Sequence, residues 1–208
     1  MRLPVRTQEA SRLRAVIEEI VAEALPSTLP RDSTEPWRAE LRKRLTGAAA
    51  DARDAGATAV YLPTRPIDGF VVPASLIESE VEDDGLAPAA DVIGEIIRDP
   101  EIEATRETVD GASAVRTDRT TIRVRPEGDW PEVTTRQIVY TVEVPHREGR
   151  WIVMAFSAIS GDNPSGALSD ALVLLFDALM TTFRWADVPG VDHSELEIRL
   201  GEIDSLAS

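Results

Sequence analysis

Apolar residues recur three or four positions apart over residues 8–25, with charged residues at the positions between them. This spacing predicts an amphipathic helix, which Pro26 ends. A second helix is expected to begin at Ser33 or Thr34 and to close at Gly56, because glycine suits the left-handed residue that ends a helix. Its inward stripe is predicted to be Trp37, Leu41, Leu45, Ala48, Ala52 and Ala55.

From Ala57 onward the apolar residues alternate with polar ones, which predicts β-strands bounded by turn residues. The expected elements are strands over Thr58–Leu62, Phe70–Val81, Ile102–Val109, Ala112–Arg125, Glu132–Val144 and Arg150–Ile159, and a short helix over Pro88–Ile97. The last strand is apolar on both faces. We therefore expect it to be central in its sheet, with the N-terminal helix pair covering one side.

Short turns join the later strands without helical crossovers, so the sheet is predicted to be mainly antiparallel and the fold class to be α+β. One domain is expected over residues 1–186, with helices on both sides of the sheet. A closing helix is predicted over Pro164–Phe183. Its inward residues are expected to be Leu168, Leu172, Leu175, Leu179 and Phe183. Residues 187–208 are interpreted as a tail with a short amphipathic helix over Ser194–Leu206.

The charge balance limits the classes of partner. The 208 residues include 37 acidic and 22 basic side chains, a net charge of −15, and no cysteine. Nucleic acids and anionic membranes are bound through lysine and arginine, so neither partner is expected. Without cysteine there is no disulfide framework and no thiolate metal site. Lys43 is the only lysine among the 22 basic residues, a bias typical of GC-rich genomes.

A cytoplasmic protein is expected, because no segment reaches the ~20 apolar residues of a membrane span and the N-terminus lacks the apolar core of a signal peptide. Motifs for catalysis or cofactor binding are also missing. His146 and His193 show no metal-binding spacing, and no nucleophile or nucleotide-binding motif occurs. The loop over residues 161–166 is interpreted as a helix start, with Asn163 as cap and Pro164 in the first turn. We therefore expect no catalytic residue, cofactor or metal.

Glu78, Glu80 and Glu82 share one face of a predicted strand. Such a row can attract a divalent cation or a partner, but alternate residues of a strand lie ~6.6 Å apart. A wet face that pairs with arginines of a neighbouring strand fits better. Those arginines were expected to be Arg119, Arg123 and Arg125.

Two tryptophans are the most open to solvent by their position. Trp130 lies in a predicted turn and Trp185 follows the closing helix. An exposed tryptophan buries a large area when a partner binds. Trp130 and Trp185, together with the acidic row, are therefore the candidate interface residues.

Three segments resemble a group of uncharacterised bacterial proteins. They are a strand that ends in YTVEVP at Pro145, a Gly-Arg-Trp that opens the next strand at Trp151, and the helix LFDALMTTFRW that ends at Trp185. The resemblance covers roughly residues 13–185, and that group is similar to the Mog/PsbP-like α/β/α fold. The motif residues are apolar or turn-forming, so the resemblance implies packing roles for them.

The resemblance implies a non-enzymatic protein that docks other proteins. We therefore expect an accessory or adaptor protein that acts through an unidentified protein partner. The alternative is a module that binds a small molecule or a cation in a cleft between the sheet and the N-terminal helices. An enzyme is the least favoured class, because no catalytic set is present in the sequence.

Overall fold

The computed structural model describes residues 1–24, 31–65, 69, 71–83, 87–99, 102–123, 133–160 and 166–185. Within these ranges the chain forms one sheet of seven strands and four α-helices. All paired strands are antiparallel. The predicted α+β class and antiparallel sheet are confirmed.

The N-terminal part forms a pair of helices beside the first strand. Strand β1 (Arg2–Pro4) leads through a 3₁₀ turn (Thr7–Glu9) into α1 (Ala10–Ala24), and α2 (Arg31–Asp54) follows. The helix pair was predicted, whereas β1 was not, because so short a strand shows no alternation. The inward stripe predicted for α2 was wrong in part, since Trp37, Ala48 and Ala55 are exposed. Gly56 has a φ of +87°, the left-handed conformation expected of it.

The other elements follow in the predicted order with shifted ends. They are β2 (Ala57–Tyr61), β3 (Ala74–Glu82), α3 (Ala89–Arg98), β4 (Glu103–Val109), β5 (Ala112–Arg123), β6 (Val133–Glu143), β7 (Arg150–Ser160) and α4 (Ala167–Thr182). Strand β3 was predicted to begin at residue 70 but begins after Pro73, which has no N–H to donate to a neighbouring strand. Helix α4 begins at Ala167 with Gly166 as its N-cap, later than predicted.

Strand β7 lies at the centre of the sheet, as predicted. The strand order is β1-β2-β3-β7-β6-β5-β4, so three strands lie on each side of it. The register defines two faces of the sheet. The front face includes Leu76, Phe156 and Ile138, and the back face includes Ile77, Ala155 and Val139.

Helices pack on both faces. On the back face, Ile17, Ile20 and Val21 of α1 pack against Leu3 of β1, and α2 packs beside them. Helix α3 covers another part of the back face, where its Ile93 meets Val115 and Trp151. The N-terminal helices were expected to cover Trp151, but α3 covers it instead. Among the described helices, α4 is the one that packs on the front face, against β5, β6 and β7.

The predicted tail over residues 187–208, with its helix over Ser194–Leu206, lies outside the described residues. The domain boundary at residue 186 therefore stays a prediction. Among the helices that are described, none has the length and hydrophobicity needed to span a bilayer.

Candidate functional site

Helix α4 faces the sheet with a different side from the one predicted. Its buried residues are Ser169, Val173, Phe176 and Met180. Leu168, Leu175 and Leu179, which were expected to face inward, are 44%, 56% and 54% exposed. That prediction was wrong because a helix that is apolar around most of its circumference does not show by periodicity which side is buried.

Two aspartates fix the rotation of α4. Asp177 accepts hydrogen bonds from Arg116 of β5 at 3.0 and 3.1 Å. Asp170 accepts one from Arg136 of β6 at 2.5 Å. Since a carboxylate placed against a sheet needs a partner, the aspartate side of α4 turns toward these arginines. The leucines on the other side consequently turn toward solvent.

Tyr140 of β6 joins the same network. Its hydroxyl donates a hydrogen bond to Asp177 at 3.0 Å, and its ring meets Phe176 edge-on with the centroids 5.6 Å apart. Phe176 also stacks on Phe156 of β7 at 4.9 Å. Burial and the hydrogen bond to Asp177 raise the pKa of Tyr140 to about 12. These contacts form a structural joint between helix and sheet.

A second charged joint lies near the start of α4. Arg136 donates hydrogen bonds to Asp118 of β5 at 2.8 and 3.1 Å as well as to Asp170. Burial favours the neutral form of Asp118, but the hydrogen bonds and charges of Arg136 and Arg116 outweigh it and lower the pKa of Asp118. Each charged group of this joint therefore has an oppositely charged partner within the protein.

The side of α4 that points away from the sheet carries no charged residue. This outer face includes Leu168, Ala171, Leu174, Leu175, Ala178 and Leu179, all of them exposed, and the exposed Thr182 follows them at the end of the helix. Leu174 is 69% exposed. Single exposed leucines are ordinary, but a contiguous apolar row along a helix is typical of a surface that another molecule covers.

An apolar groove of about 350 Å³ lies between α4 and the part of the front face that α4 does not cover. Its α4 wall consists of Leu172, Leu175, Phe176 and Leu179. The opposite wall includes Tyr61, Leu62, Val72, Ala74 and Leu76. The groove exists because one helix, ~10 Å wide, spans only about two strands at ~4.8 Å spacing, whereas β1 to β3 extend the sheet further.

The hydroxyl of Tyr61 lies in the opposite wall, and other protein groups hold it. It donates a hydrogen bond to Glu78 at 2.8 Å and accepts one from Arg2 at 3.3 Å. Burial, and then the hydrogen bond to Glu78, raise the pKa of Tyr61. Because this hydroxyl is already paired, the groove offers mainly apolar contact to a ligand.

The predicted acidic row lies on the front face of β3. Glu78 is bonded to the tyrosine hydroxyl, Glu80 accepts from Arg6 at 2.9 Å and from Arg150 at 3.3 Å, and Glu82 also pairs with Arg150. The expected pairing with Arg119 and Arg123 of β5 was wrong, because the neighbours of β3 in the sheet are β2 and β7. Arg125 lies outside the described residues. A role of this row in an interface stays a prediction.

Trp130 and Trp185 were predicted to be interface residues, and the structure describes only Trp185. Trp130 lies outside the described residues. Trp185 is half-buried: its backbone N–H donates to Asp110 at 2.9 Å, and its ring meets Phe183 edge-on at 5.1 Å. Its indole N–H is buried without a hydrogen-bond partner. Trp185 thus packs at the end of α4, and its role in an interface is untested.

In the part of the chain that the structure describes, no three histidine or carboxylate side chains are grouped as metal ligands would be. His146 is exposed in the turn between β6 and β7 with a φ of +60°. The other residues considered for a helix cap or a metal site lie outside the described ranges: Asn163, Pro164 and His193.

The outer face of α4 was not identified from the sequence, although a signal was present. Asp170 and Asp177 are seven residues apart and therefore lie on one side of the helix. In a helix otherwise this apolar, two carboxylates on one side indicate the side that meets basic partners. This pattern would have predicted that the leucines on the other side are exposed.

Comparison with known proteins finds no family that matches the chain and no curated protein with significant similarity. The fold defines an α+β protein with one antiparallel seven-stranded sheet. Its candidate site consists of the outer face of α4 and the adjoining apolar groove.

Proposed function

We propose that this chain is a non-enzymatic accessory or adaptor protein that acts through protein–protein interaction. The outer face of α4 and the apolar groove are its docking surface. The observation that carries this proposal is the row of leucines on α4, exposed by 44–69%, on a helix whose two charged residues are paired with the sheet. The centre of a protein interface is likewise apolar and depleted of charge.

The groove indicates the kind of segment that docks. It is open along one side of α4, and its walls are formed mainly by aliphatic and aromatic side chains. The apolar side of an amphipathic helix fits such a groove, because a helix presents leucine-sized anchors every three or four residues. A charged or extended polar peptide would leave its polar groups without partners there.

The family resemblance supports the same proposal. Helices pack on both faces of the antiparallel sheet, and we propose that this arrangement is the Mog/PsbP-like α/β/α sandwich of a bacterial protein. A cytoplasmic location is part of this proposal. The net charge of −15 supports a protein partner over nucleic acid or an anionic membrane.

The ionisable groups that are described support a non-catalytic role. In enzymes, groups with perturbed pKa values usually line the cleft where substrate binds. Here Tyr140 lies between α4 and the sheet, where its hydroxyl is bonded to Asp177. Tyr61 and Asp118 line surface cavities, but each is bonded to charged groups of the protein itself. These pairings fit structural roles.

The size of the groove favours a second function, the binding of an apolar small molecule. A volume of about 350 Å³ falls within the range of small-molecule sites, about 300–1,000 Å³. The cleft between sheet and N-terminal helices, expected to take a small molecule or a cation, stays a prediction. Ile17, Ile20 and Val21 occupy part of that region by packing against the sheet.

Co-purification of variants tests the docking proposal. Leu179→Glu places a charge on the outer face of α4, and Trp37→Glu places the same charge on α2, at a side chain that is 69% exposed. Tagged wild-type and variant chains are expressed at native level, and proteins recovered in stoichiometric amount are quantified. Both changes are at exposed positions, so thermal unfolding should confirm that the fold is intact.

We expect wild type and Trp37→Glu to recover the same stoichiometric partner, and Leu179→Glu to recover at least ~10-fold less of it. Equal recovery by all three chains would contradict the proposal. A wild-type chain that retains no other protein in stoichiometric amount would also contradict it.

A further inference from the structure

We propose that the molecule that covers the outer face of α4 is a second copy of this chain, so that the protein is a twofold-symmetric dimer joined by its two α4 helices. This inference rests on the proposed function, because it takes the same face to be an interface. It goes further by naming the occupant.

The outer face of α4 has the spacing of a helix-pairing seam. Leu168 and Leu175 are seven residues apart, as are Ala171 and Ala178, and each alanine follows a leucine by three. Alternating steps of three and four are the a and d positions of helices that pack along one another. The alanines allow a second helix to approach closely, and the leucines fill the space beside them. The seam is formed by residues of a helix that is fully described, with no charge among them.

The outer face of α4 carries no charge, so a second copy can dock there without opposing like charges. Each chain has a net charge of −15, so two copies can associate closely only where they meet through a neutral surface. The two ionisable residues of α4, Asp170 and Asp177, are bonded to Arg136 and Arg116 of their own sheet. Two α4 helices therefore meet without like charges opposed at the centre of the interface.

The shape of the surface is self-complementary. Leu175 and Leu179 form part of the exposed crest of α4 and also one wall of the groove beside it. A twofold axis across α4 would place the crest of each copy in the groove of the other, as an isologous interface requires. A protein with a crest and no groove, or a groove and no crest, could not pair with itself in this way.

The area available is sufficient for a dimer. Helix α4 has 16 residues and is therefore about 24 Å long, at ~1.5 Å per residue. The surface is about 24 Å wide, because the helix adds about 10 Å and the three uncovered strands add about 14 Å. With the length of the helix, this width gives an area of roughly 600 Å² on each copy. Stable interfaces cover about 600–1,000 Å² per partner, so the surface reaches the lower end of this range.

Sedimentation velocity on the full chain, from about 1 to 100 µM, tests the inference. The sedimenting species of wild type and of Trp37→Glu are expected to have twice the mass of one chain. Leu175→Glu buries one carboxylate from each copy in an apolar interface, so we expect its dimer dissociation constant to rise by a factor on the order of 100 or more. Leu175→Ser, which adds no charge, is the second variant if the glutamate variant does not fold.

A wild-type chain that remains monomeric at ~100 µM would overturn the inference, and so would a dimer that both Leu175 variants leave intact. Failure of the inference differs from failure of the proposed function. If the wild-type chain is monomeric but still loses a stoichiometric partner in Leu179→Glu, the face binds a foreign protein and only the inference fails. If the dimer depends on Leu175 but no other protein is recovered, the inference holds and the adaptor role is lost.

Discussion

The hydroxyl of Tyr140 donates a 3.0 Å hydrogen bond to the carboxylate of Asp177, across the space between β6 and α4. The same carboxylate accepts two hydrogen bonds from Arg116 of β5, so one acidic side chain ties the helix to two strands. This joint determines which side of α4 meets the sheet. It therefore also determines which leucines point to solvent and form the candidate interface.

The raised pKa of Tyr140 predicts a loss of stability in alkaline solution. A tyrosine in the unfolded chain ionises near pH ~10, whereas Tyr140 in the folded protein ionises at about 12. Between these values the unfolded state has lost a proton that the folded state keeps, so rising pH favours the unfolded state. The contribution of Tyr140 to the free energy of unfolding is therefore complete below pH ~10 and is lost as the pH rises to ~12. The free energy of unfolding of wild type should fall relative to that of Tyr140→Phe by roughly 2–3 kcal/mol over this interval, as urea denaturation would measure.

The second tyrosine provides the internal control for this experiment. The pKa of Tyr61 is also raised, but Tyr61 is present in both proteins, so its contribution cancels in the difference. A difference in unfolding free energy that stays constant from pH ~9 to pH ~12 would show that Tyr140 is not held in its neutral form by the joint with Asp177.

The two aspartates of α4 are expected to differ in their contributions to stability. Asp177→Ala leaves Arg116, whose side chain is only 17% exposed, without its main partner, and should destabilise the protein by about 2–3 kcal/mol. Asp170→Ala removes a carboxylate that is 63% exposed, and should cost less than ~1 kcal/mol. Urea denaturation at neutral pH measures both values. Equal effects of the two changes would contradict the central role of Asp177.

Two tryptophans give a matched test of the core. Trp151 is 4% exposed and packs against Ile93 and Val115, so Trp151→Ala should destabilise the protein by ~3–5 kcal/mol. Trp37 is 69% exposed on α2, so Trp37→Ala should destabilise the protein by less than ~0.5 kcal/mol. A small effect at Trp151 would mean that α3 does not hold this part of β7.

Two glycines should respond in opposite directions to the same change. Gly47 lies inside α2, and a Cβ there would meet no neighbouring atom within 4 Å, so Gly47→Ala should stabilise the protein by ~0.5–1 kcal/mol. Gly56 has a φ of +87°, which an L side chain resists, so Gly56→Ala should destabilise by ~1 kcal/mol. Thermal unfolding of the two variants would show one higher and one lower midpoint. A lower midpoint for both would place the end of α2 elsewhere.

The strands were predictable because their side chains alternate between two different environments. In β6, Ile138, Tyr140 and Val142 are buried on the front face while their neighbours are more exposed, as the alternation indicated. The central place of β7 followed from its apolar residues on both faces. What alternation could not give was the partner of each strand. The arginine partners predicted for the glutamates of β3 were therefore incorrect. Arg150 of the neighbouring strand β7 pairs with Glu80 and Glu82.

The candidate site was less predictable than the fold, because it depends on the rotation of one helix. Leucines occur on most sides of α4, so their spacing favoured no single buried side. The rotation is set by contacts that are distant in sequence, between Asp177 and Arg116 and between Phe176 and Phe156. Tertiary contacts of this kind decide which apolar residues become core and which remain on the surface.

The rate at which a single engineered thiol reacts in the native protein tests most directly whether a second copy covers the outer face of α4. The chain has no cysteine, so Leu175→Cys and Trp37→Cys each introduce one thiol, at helical positions where the native side chains are 56% and 69% exposed. The purified chain at its working concentration is treated with a water-soluble maleimide. We predict that the thiol at position 175 reacts at least ~10-fold more slowly than the thiol at position 37, and that dilution removes the difference. Equal rates at every concentration would contradict the dimer, because they would show that α4 of the purified protein presents its leucines to water and not to a second copy.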